Sequence, residues 1–331
     1  MSFQNIGVIG AGSWGTALAL VLHGNGLPVT IWGHDATHIG AMQTTRENAA
    51  YLPGIALPET LALTSKLDDL FSCDLLLIVT PSKAVREVAS LLYAGELGRG
   101  AALLSCTKGV ERGSGMRMSE ILAEYFPSNA IAVLSGPSHA EEVALKRPTC
   151  VVLGCREPDL AQRLQRAFSS PSFRAYTNDD VAGIELGGAL KNIYALAAGV
   201  CDGIGLGDNA KAALVTRALV ELGRLGAALG GKQSTFMGLS GVGDLMVTCF
   251  SQHSRNRSVG ERLGRGEQLS SIVASMQMVA EGVPTTYSAY ECARRHNIET
   301  PIIDQIKSIL DGTSAPAEAL ARLLGRDPRA E

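Results

Sequence analysis

Residues 6 to 17, Ile-Gly-Val-Ile-Gly-Ala-Gly-Ser-Trp-Gly-Thr-Ala, constrain what this chain folds into more than any other stretch. An apolar strand carrying Ile6, Val8 and Ile9 runs into Gly10-Ala11-Gly12-Ser13-Trp14-Gly15, and an apolar helical stretch from Ala17 to Leu22 follows at once. In a strand, glycine loop and helix of this kind, Gly10 permits the tight turn, Gly12 lets the backbone approach a pyrophosphate, and Gly15 lets helix and strand pack closely. The N–H groups and positive end of the new helix then face the phosphates. A glycine-rich turn that binds nothing is the alternative; the matching context on both sides favours a dinucleotide.

At 331 residues the chain exceeds what one hydrophobic core usually holds, so two domains are expected. Hydrophobic residues make up 46% and charged residues 18%, enough apolar material for a sizeable core. A net charge of −3 gives no general attraction to nucleic acid or to an anionic membrane, so any anion site must be local. Seven scattered cysteines without a CxxC pair point to a reducing cytoplasm, with no disulfide framework and no metal site. The first strand begins within a few residues of Met1, leaving no room for a signal peptide, and no apolar run reaches membrane-spanning length. A soluble, cytoplasmic protein is the expectation.

After the first helix, 28–32 reads as a second strand. An acidic residue at its tip, about 20 residues beyond the fingerprint, usually grips the ribose 2′-hydroxyl of NAD. Gly33-His34 stands there instead, which favours a cofactor of NADP type or tolerance of both; the alternative is that Asp35 bends back to the ribose. Helical pieces are expected over 36–72. The run 74–82, Asp-Leu-Leu-Leu-Ile-Val-Thr-Pro-Ser, fits a strand covered on both faces. A strand over 101–106 leads to Lys108, which is either a solvated loop lysine or a residue at the ligand-binding end of the sheet. Another strand ends in Ser135-Gly136-Pro137-Ser138-His139-Ala140, where Gly136 allows close backbone approach and Ser138 is a candidate helix cap. His139 reads as a helix-start residue rather than a ligand. With strands at 149–153 and 173–176, about seven strands in this rhythm predict a doubly wound α/β sheet over residues 1–179.

From residue 180 to 331 the pattern is helical only, an all-α second domain. Its first helix, about 181–199, contains Gly183, Gly187 and Gly188, each costing roughly 1 kcal/mol relative to alanine. Either another helix or a ligand needs that backbone bare. Lys191 lies one turn beyond Gly187 on the same side, and a lysine emerging from such an apolar helix is partly desolvated and suited to proton transfer, unless it snorkels to the surface. The segment 202–208 reads as a turn with Asp208 as helix cap, and Asp244 is a further cap candidate. Ser254-Arg255-Asn256-Arg257 before a helix at 258–263 has the guanidinium, amide and hydroxyl donors of a compact anion site. Helices are also expected over 276–293, 302–310 and 315–324.

Taken together, Gly-Ala-Gly-Ser-Trp-Gly-Thr-Ala (10–17), Trp-Gly-His-Asp (32–35), Thr-Lys-Gly (107–109), Ser-Gly-Pro-Ser-His-Ala (135–140), Leu-Gly-Gly-Ala-Leu-Lys-Asn (186–192), Gly-Asp-Leu-Met-Val-Thr-Cys (243–249), Ser-Arg-Asn-Arg (254–257) and Val-Ala-Glu-Gly (279–282) make the chain resemble the bacterial NAD(P)-dependent glycerol-3-phosphate dehydrogenases over nearly all its length. The resemblance implies a Rossmann-type domain followed by an all-helical domain, with the site between them. It implies NAD(P)H as cofactor, dihydroxyacetone phosphate and glycerol 3-phosphate as substrates for phospholipid synthesis, and a homodimer as the candidate assembly. By that likeness Ser13, Trp14, His34, Ala140, Val279 and Glu281 meet the cofactor alongside the fingerprint glycines. Lys108 and Arg255 meet cofactor and substrate; Gly136, Ser138, Asp244, Thr248, Ser254 and Asn256 surround the substrate; Lys191 transfers the proton. Ser138, where threonine is also frequent, and Val283-Pro284 after Glu281 are small departures from the family's pattern.

Overall fold

The computed structural model describes residues 2–98, 100–276 and 278–325. The chain folds as two compact units, one made of the chain up to Lys108 together with Arg117–Glu185, the other of Gly109–Met116 and the chain from Leu186 onward.

Among the described residues the first unit is built on ten strands: β1 Ile6–Ile9, β2 Val29–Trp32, β3 Glu47–Asn48, β4 Leu52–Ala56, β5 Ala62–Thr64, β6 Leu75–Ile78, β7 Ala102–Ser105, β8 Ile131–Ser135, β9 Thr149–Gly154 and β10 Phe173–Asn178. Eight of them form one sheet in the order β10-β9-β8-β7-β6-β1-β2-β5, while β3 and β4 form a separate hairpin. Strand β1 lies parallel between β2 and β6, with Ile6 opposite Val29 and Leu75. All four residues of β1, β6 and β7 are buried, which is why these strands read as unbroken apolar runs. The order reverses direction next to β1, as expected for a doubly wound, Rossmann-type sheet. Strand β9 departs from that pattern by running antiparallel to β8. The eighth sheet strand is β5, in a region expected to be helical. Only three residues long, it lies at the sheet edge beside β2, too short to show a period of two.

The helix Val181–Ile204, whose residues from Leu186 onward belong to the second unit, is buried at every residue from Val181 to Val200. It runs five residues beyond the expected end at 199, so 202–208 is not a turn capped by Asp208. The next helix is Gly207–Ala228, with Leu206 at its N-cap and Asp208 within its first turn. Two glycine pairs spaced by four explain how so long a helix stays covered. A Cβ on Gly199 would sit 2.0 Å from the Arg257 carbonyl oxygen and one on Gly203 2.2 Å from that of Glu261. Reciprocally, one on Gly260 would sit 2.0 Å from the Leu196 carbonyl oxygen. The two backbones therefore touch, and only glycine fits at the crossing. The boundary between the units falls between Glu185 and Leu186, just downstream of the expected 179/180. The reason is Glu185: its carboxylate accepts from the Ser119 N–H at 2.9 Å and hydroxyl at 2.6 Å in the first unit. Residues 109–116 join the second unit because Arg295 donates to the carbonyls of Gly113 and Ser114, and Arg112 stacks over the Tyr287 ring. The expected helix over 276–293 begins only at Gly282.

Glu221 is 1% exposed and accepts from the N–H groups of Ile302 and Ile303 at 2.9 and 3.0 Å, capping the helix Pro301–Leu310 from a distant helix. Burial is the main reason that its carboxyl is pushed up to about 7, against an ordinary 4.5, with the two N–H donors opposing it. The folded chain thus holds this proton more tightly than the unfolded chain, so the stability it contributes is present below pH 4.5 and is lost as pH rises through about 7. The span corresponds to roughly 3 kcal/mol. Denaturant unfolding of Glu221→Gln should shift in the variant's favour by about that amount, relative to wild type, between pH 5 and pH 8. Gly260→Ala should lower stability by roughly 1–3 kcal/mol, read as an earlier thermal midpoint, because the added methyl meets a backbone carbonyl that cannot rotate away.

Candidate active site: a bare glycine loop and a buried lysine

The first-unit candidates follow the carboxyl ends of four strands, β1, β2, β7 and β8. Gly10 adopts φ +124° and donates to the Trp32 carbonyl at 2.9 Å; a Cβ there would come 2.6 Å from the Val79 carbonyl oxygen. At Gly15 a Cβ would come 1.9 Å from the Gly10 carbonyl oxygen. Turn and packing within the protein thus account for these two glycines. Gly12 is different, because nothing lies within 4 Å of where its Cβ would be. It is also the N-cap of the helix Ser13–Gly24 and has no side chain to occupy the first-turn donors. The Trp14 indole Nε1 is buried without a hydrogen-bond partner among the described residues. A cradle open on one side at a helix N-terminus, with an unspent donor beside it, fits a bound dinucleotide.

At the tip of β2, His34 is exposed and Asp35 serves as N-cap of the helix Ala36–Thr45. Its Oδ1 accepts from the N–H groups of His38 and Thr37 at 3.1 and 2.9 Å, and these bonds, the one from His38 foremost, hold the carboxyl below its ordinary value. The carboxylate caps this helix through Oδ1. Lys108 Nζ donates to the Gly136 carbonyl at 2.9 Å, joining two candidate segments. The Ser138 hydroxyl donates to the same carbonyl at 3.0 Å. Ser138 therefore caps no helix; His139 is the N-cap of Ala140–Ala144 and makes no side-chain capping bond.

In the second unit Lys191 is 5% exposed. Its ammonium donates to Asp244 Oδ1 and to Thr248 Oγ1, each at 2.6 Å, and neither snorkels nor meets water freely. Asp244 is 1% and Thr248 3% exposed, one turn apart in the helix Asp244–Phe250. A π-turn, Leu239–Gly243, leads into that helix. A Cβ on Gly187 would come 2.4 Å from the Ser240 carbonyl oxygen, so backbone packing is what keeps Gly187 bare. The contact lies one turn before Lys191 on one helix and one turn before Asp244 on the other, and so sets the spacing of the ion pair.

The residues 254–257 do not act as four equivalent donors. Ser254 caps the helix Arg255–Gly264 by accepting from the Arg257 N–H at 3.2 Å. Arg257 Nε pairs with Asp202 at 2.6 Å, a carboxylate also held by Lys211 at 2.8 Å. Asn256 is buried, donating to Asn192 Oδ1 at 2.9 Å and accepting from the Gly282 N–H at 2.8 Å. Arg255 is exposed and donates to the Val279 carbonyl at 3.0 Å. These last bonds tie the 254–257 turn to the segment with Val279 and Glu281. Asn192, given no role of its own from sequence, sits at that junction beside Lys191; its place at the end of the 186–192 motif is the signal the chain offers for it. Among the described residues no cluster of three His, Cys, Asp or Glu could hold a metal ion, and no helix is long and apolar enough to cross a membrane.

Comparison with known proteins bears on both halves of the chain. The family models for the N-terminus and the C-terminus of NAD-dependent glycerol-3-phosphate dehydrogenase match residues 5–161 and 180–321. The chain is 46% identical over 332 residues to glycerol-3-phosphate dehydrogenase [NAD(P)+] of Geobacter sulfurreducens, covering 99% of each. It is 47% identical over 325 residues to the Bacillus anthracis protein of that name, covering 97% of this chain and 95% of the other. The crystal structure of glycerol-3-phosphate dehydrogenase from Coxiella burnetii superposes with a TM-score of 0.94 at 40% identity, over 98% of this chain and 99% of that one. The chain belongs to the NAD(P)-dependent glycerol-3-phosphate dehydrogenase family.

Proposed function

We propose that this chain interconverts dihydroxyacetone phosphate and sn-glycerol 3-phosphate with NAD(P)H, supplying glycerol 3-phosphate for phospholipid synthesis, and that Lys191 carries the proton. The observation that carries the reading is a lysine 5% exposed and fixed between Asp244 and Thr248, in a chain of this family. When bound, the reduced nicotinamide supplies a hydride to the substrate's carbonyl carbon. Gly10, Gly12, Ser13, Trp14 and Gly15 hold the dinucleotide, with His34, Ala140, Val279 and Glu281 as its further contacts. Arg255 and the capped turn from Ser254 to Asn256 take the substrate phosphate, where guanidinium and helix-start donors suit a dianion.

Reduction leaves negative charge on the former carbonyl oxygen. Lys191 gives that oxygen a proton and is reprotonated from solvent; in oxidation the proton moves the other way. Asp244 and Thr248 aim the ammonium, and the carboxylate offsets the cost of keeping a cation out of water. Lys108, with Gly136 and Ser138, stabilises the oxyanion. The same reading keeps the seven cysteines as thiols in the reducing cytoplasm and takes a homodimer as the working assembly.

Oxidation of NADH and NADPH followed by absorbance with dihydroxyacetone phosphate tests the reaction; turnover should require the phosphate, with unphosphorylated dihydroxyacetone as the control. Lys191→Ala should lower kcat by about 10²–10⁴-fold while leaving dinucleotide affinity near wild type, and near-normal turnover would remove Lys191 from its role. Arg255→Ala should raise the KM for dihydroxyacetone phosphate by roughly 10- to 100-fold, in keeping with loss of a charged hydrogen bond. An unchanged KM would sink the phosphate assignment.

A further inference from the structure

Asn48 takes no part in the site described above, yet it is fully buried at 0% exposure and reaches the fingerprint loop across a large separation in sequence. It ends β3, in the hairpin with β4, opposite Leu52. Its Nδ2 donates to the Ala11 carbonyl at 2.9 Å and to the Thr16 hydroxyl at 2.8 Å. Ala11 lies between Gly10 and Gly12, and Thr16 lies in the first turn of the following helix. One carboxamide therefore holds the loop on one side of Gly12 and the helix on the other.

The peptide joining Ala11 to Gly12 is the one whose orientation matters most to an anion. In a trans peptide the carbonyl and the following N–H point in opposite directions. Holding the Ala11 oxygen toward Asn48 consequently turns the Gly12 N–H away from it. Were this peptide to flip, a carbonyl oxygen would replace an N–H in the cradle, presenting a negative dipole end where negative phosphates bind. Such a flip turns ψ of Ala11 and φ of Gly12, and glycine at 12 leaves it little intrinsic resistance. Ala11 has no side chain that could anchor it, so the restraint must come from outside the loop.

We propose that Asn48 is a positioning residue for the dinucleotide, fixing the Ala11–Gly12 peptide so that the loop offers N–H groups to the pyrophosphate. The proposal rests on the dinucleotide reading of the loop. It assigns the β3–β4 hairpin a part in cofactor binding that the loop motif alone does not reveal, and separates that part from the anchoring of the helix through Thr16.

Titration of purified protein with NADPH by its fluorescence, in the absence of substrate, tests it. Asn48→Leu, close in shape and without a donor, should weaken NADPH binding at least about tenfold and raise the KM for NADPH in step, the loss of one hydrogen bond's free energy. Its kcat and its KM for dihydroxyacetone phosphate should stay within about twofold of wild type. Asn48→Ser, too short to reach Ala11, should behave alike and serves if the leucine variant does not fold. Thr16→Val, which keeps the bond to Ala11, should bind NADPH within about twofold of wild type. NADPH affinity unchanged in both Asn48 variants, or a loss in Thr16→Val as large as theirs, would overturn the proposal while leaving the proposed reaction standing. Failure of the wild-type chain to bind either dinucleotide would overturn both.

Discussion

A charged lysine kept out of water is the interaction on which the second unit depends. Removing an ammonium from solvent costs several kcal/mol, and a single carboxylate repays this only if the geometry is close and the remaining bonds are satisfied. Here Asp244 and Thr248 both lie 2.6 Å from Lys191. Their placement follows from a close backbone contact together with the packing of Leu245 and Cys249 in the core of the second unit. The Gly187–Ser240 contact brings the π-turn against the long helix, and the glycines at 199, 203, 260 and 264 bring the Arg255–Gly264 helix against its other end. A glycine that looks like a defect in a helix, Gly187, is thus what lets the π-turn leading into Asp244 approach the helix that carries Lys191. The energy lost to helix propensity is small beside the cost of an unpaired buried charge.

In the first unit the corresponding constraint is a backbone stripped of side chains for three separate reasons. Gly10 is required by a left-handed φ and a near carbonyl, Gly15 by the carbonyl of Gly10, and Gly12 by nothing in the protein itself. That asymmetry leaves space beside the start of the helix Ser13–Gly24. Around it, neighbouring polar groups are used for structure: Asp35 caps a helix, and Asn48 donates to the loop at Ala11 and to the following helix at Thr16.

Much of this is legible in the chain itself, for reasons tied to particular residues. The runs at 6–9, 75–78 and 102–105 are buried on both faces, so they contain almost no polar positions to obscure them. The fingerprint, Lys108, Lys191 and the Arg255 segment stand out where the pattern changes and chemistry collects. Harder to read are β5 and the β3–β4 hairpin, whose two to five residues are too short to establish a period. The segment 202–208 looks like a turn because of Gly203, Gly205 and Gly207, whereas Gly203 lies inside a helix and serves a helix crossing. Likewise Ser138 has a capping residue's identity but bonds to Gly136 instead.

The sequence by itself determined the class of each half, the loop at Gly10–Gly15 and the family, because strand burial, glycine spacing and ordered motifs are local properties of the chain. Tertiary structure decided what the polar side chains do. Arg257 pairs with Asp202, Asn256 with Asn192 and Gly282, Glu221 with the start of a distant helix, and Asn48 with Ala11. Each partner is far away along the chain, and a buried polar group takes whichever complementary atom the fold carries to it. Local pattern says that such a group needs a partner; only the packed backbone says which one it finds.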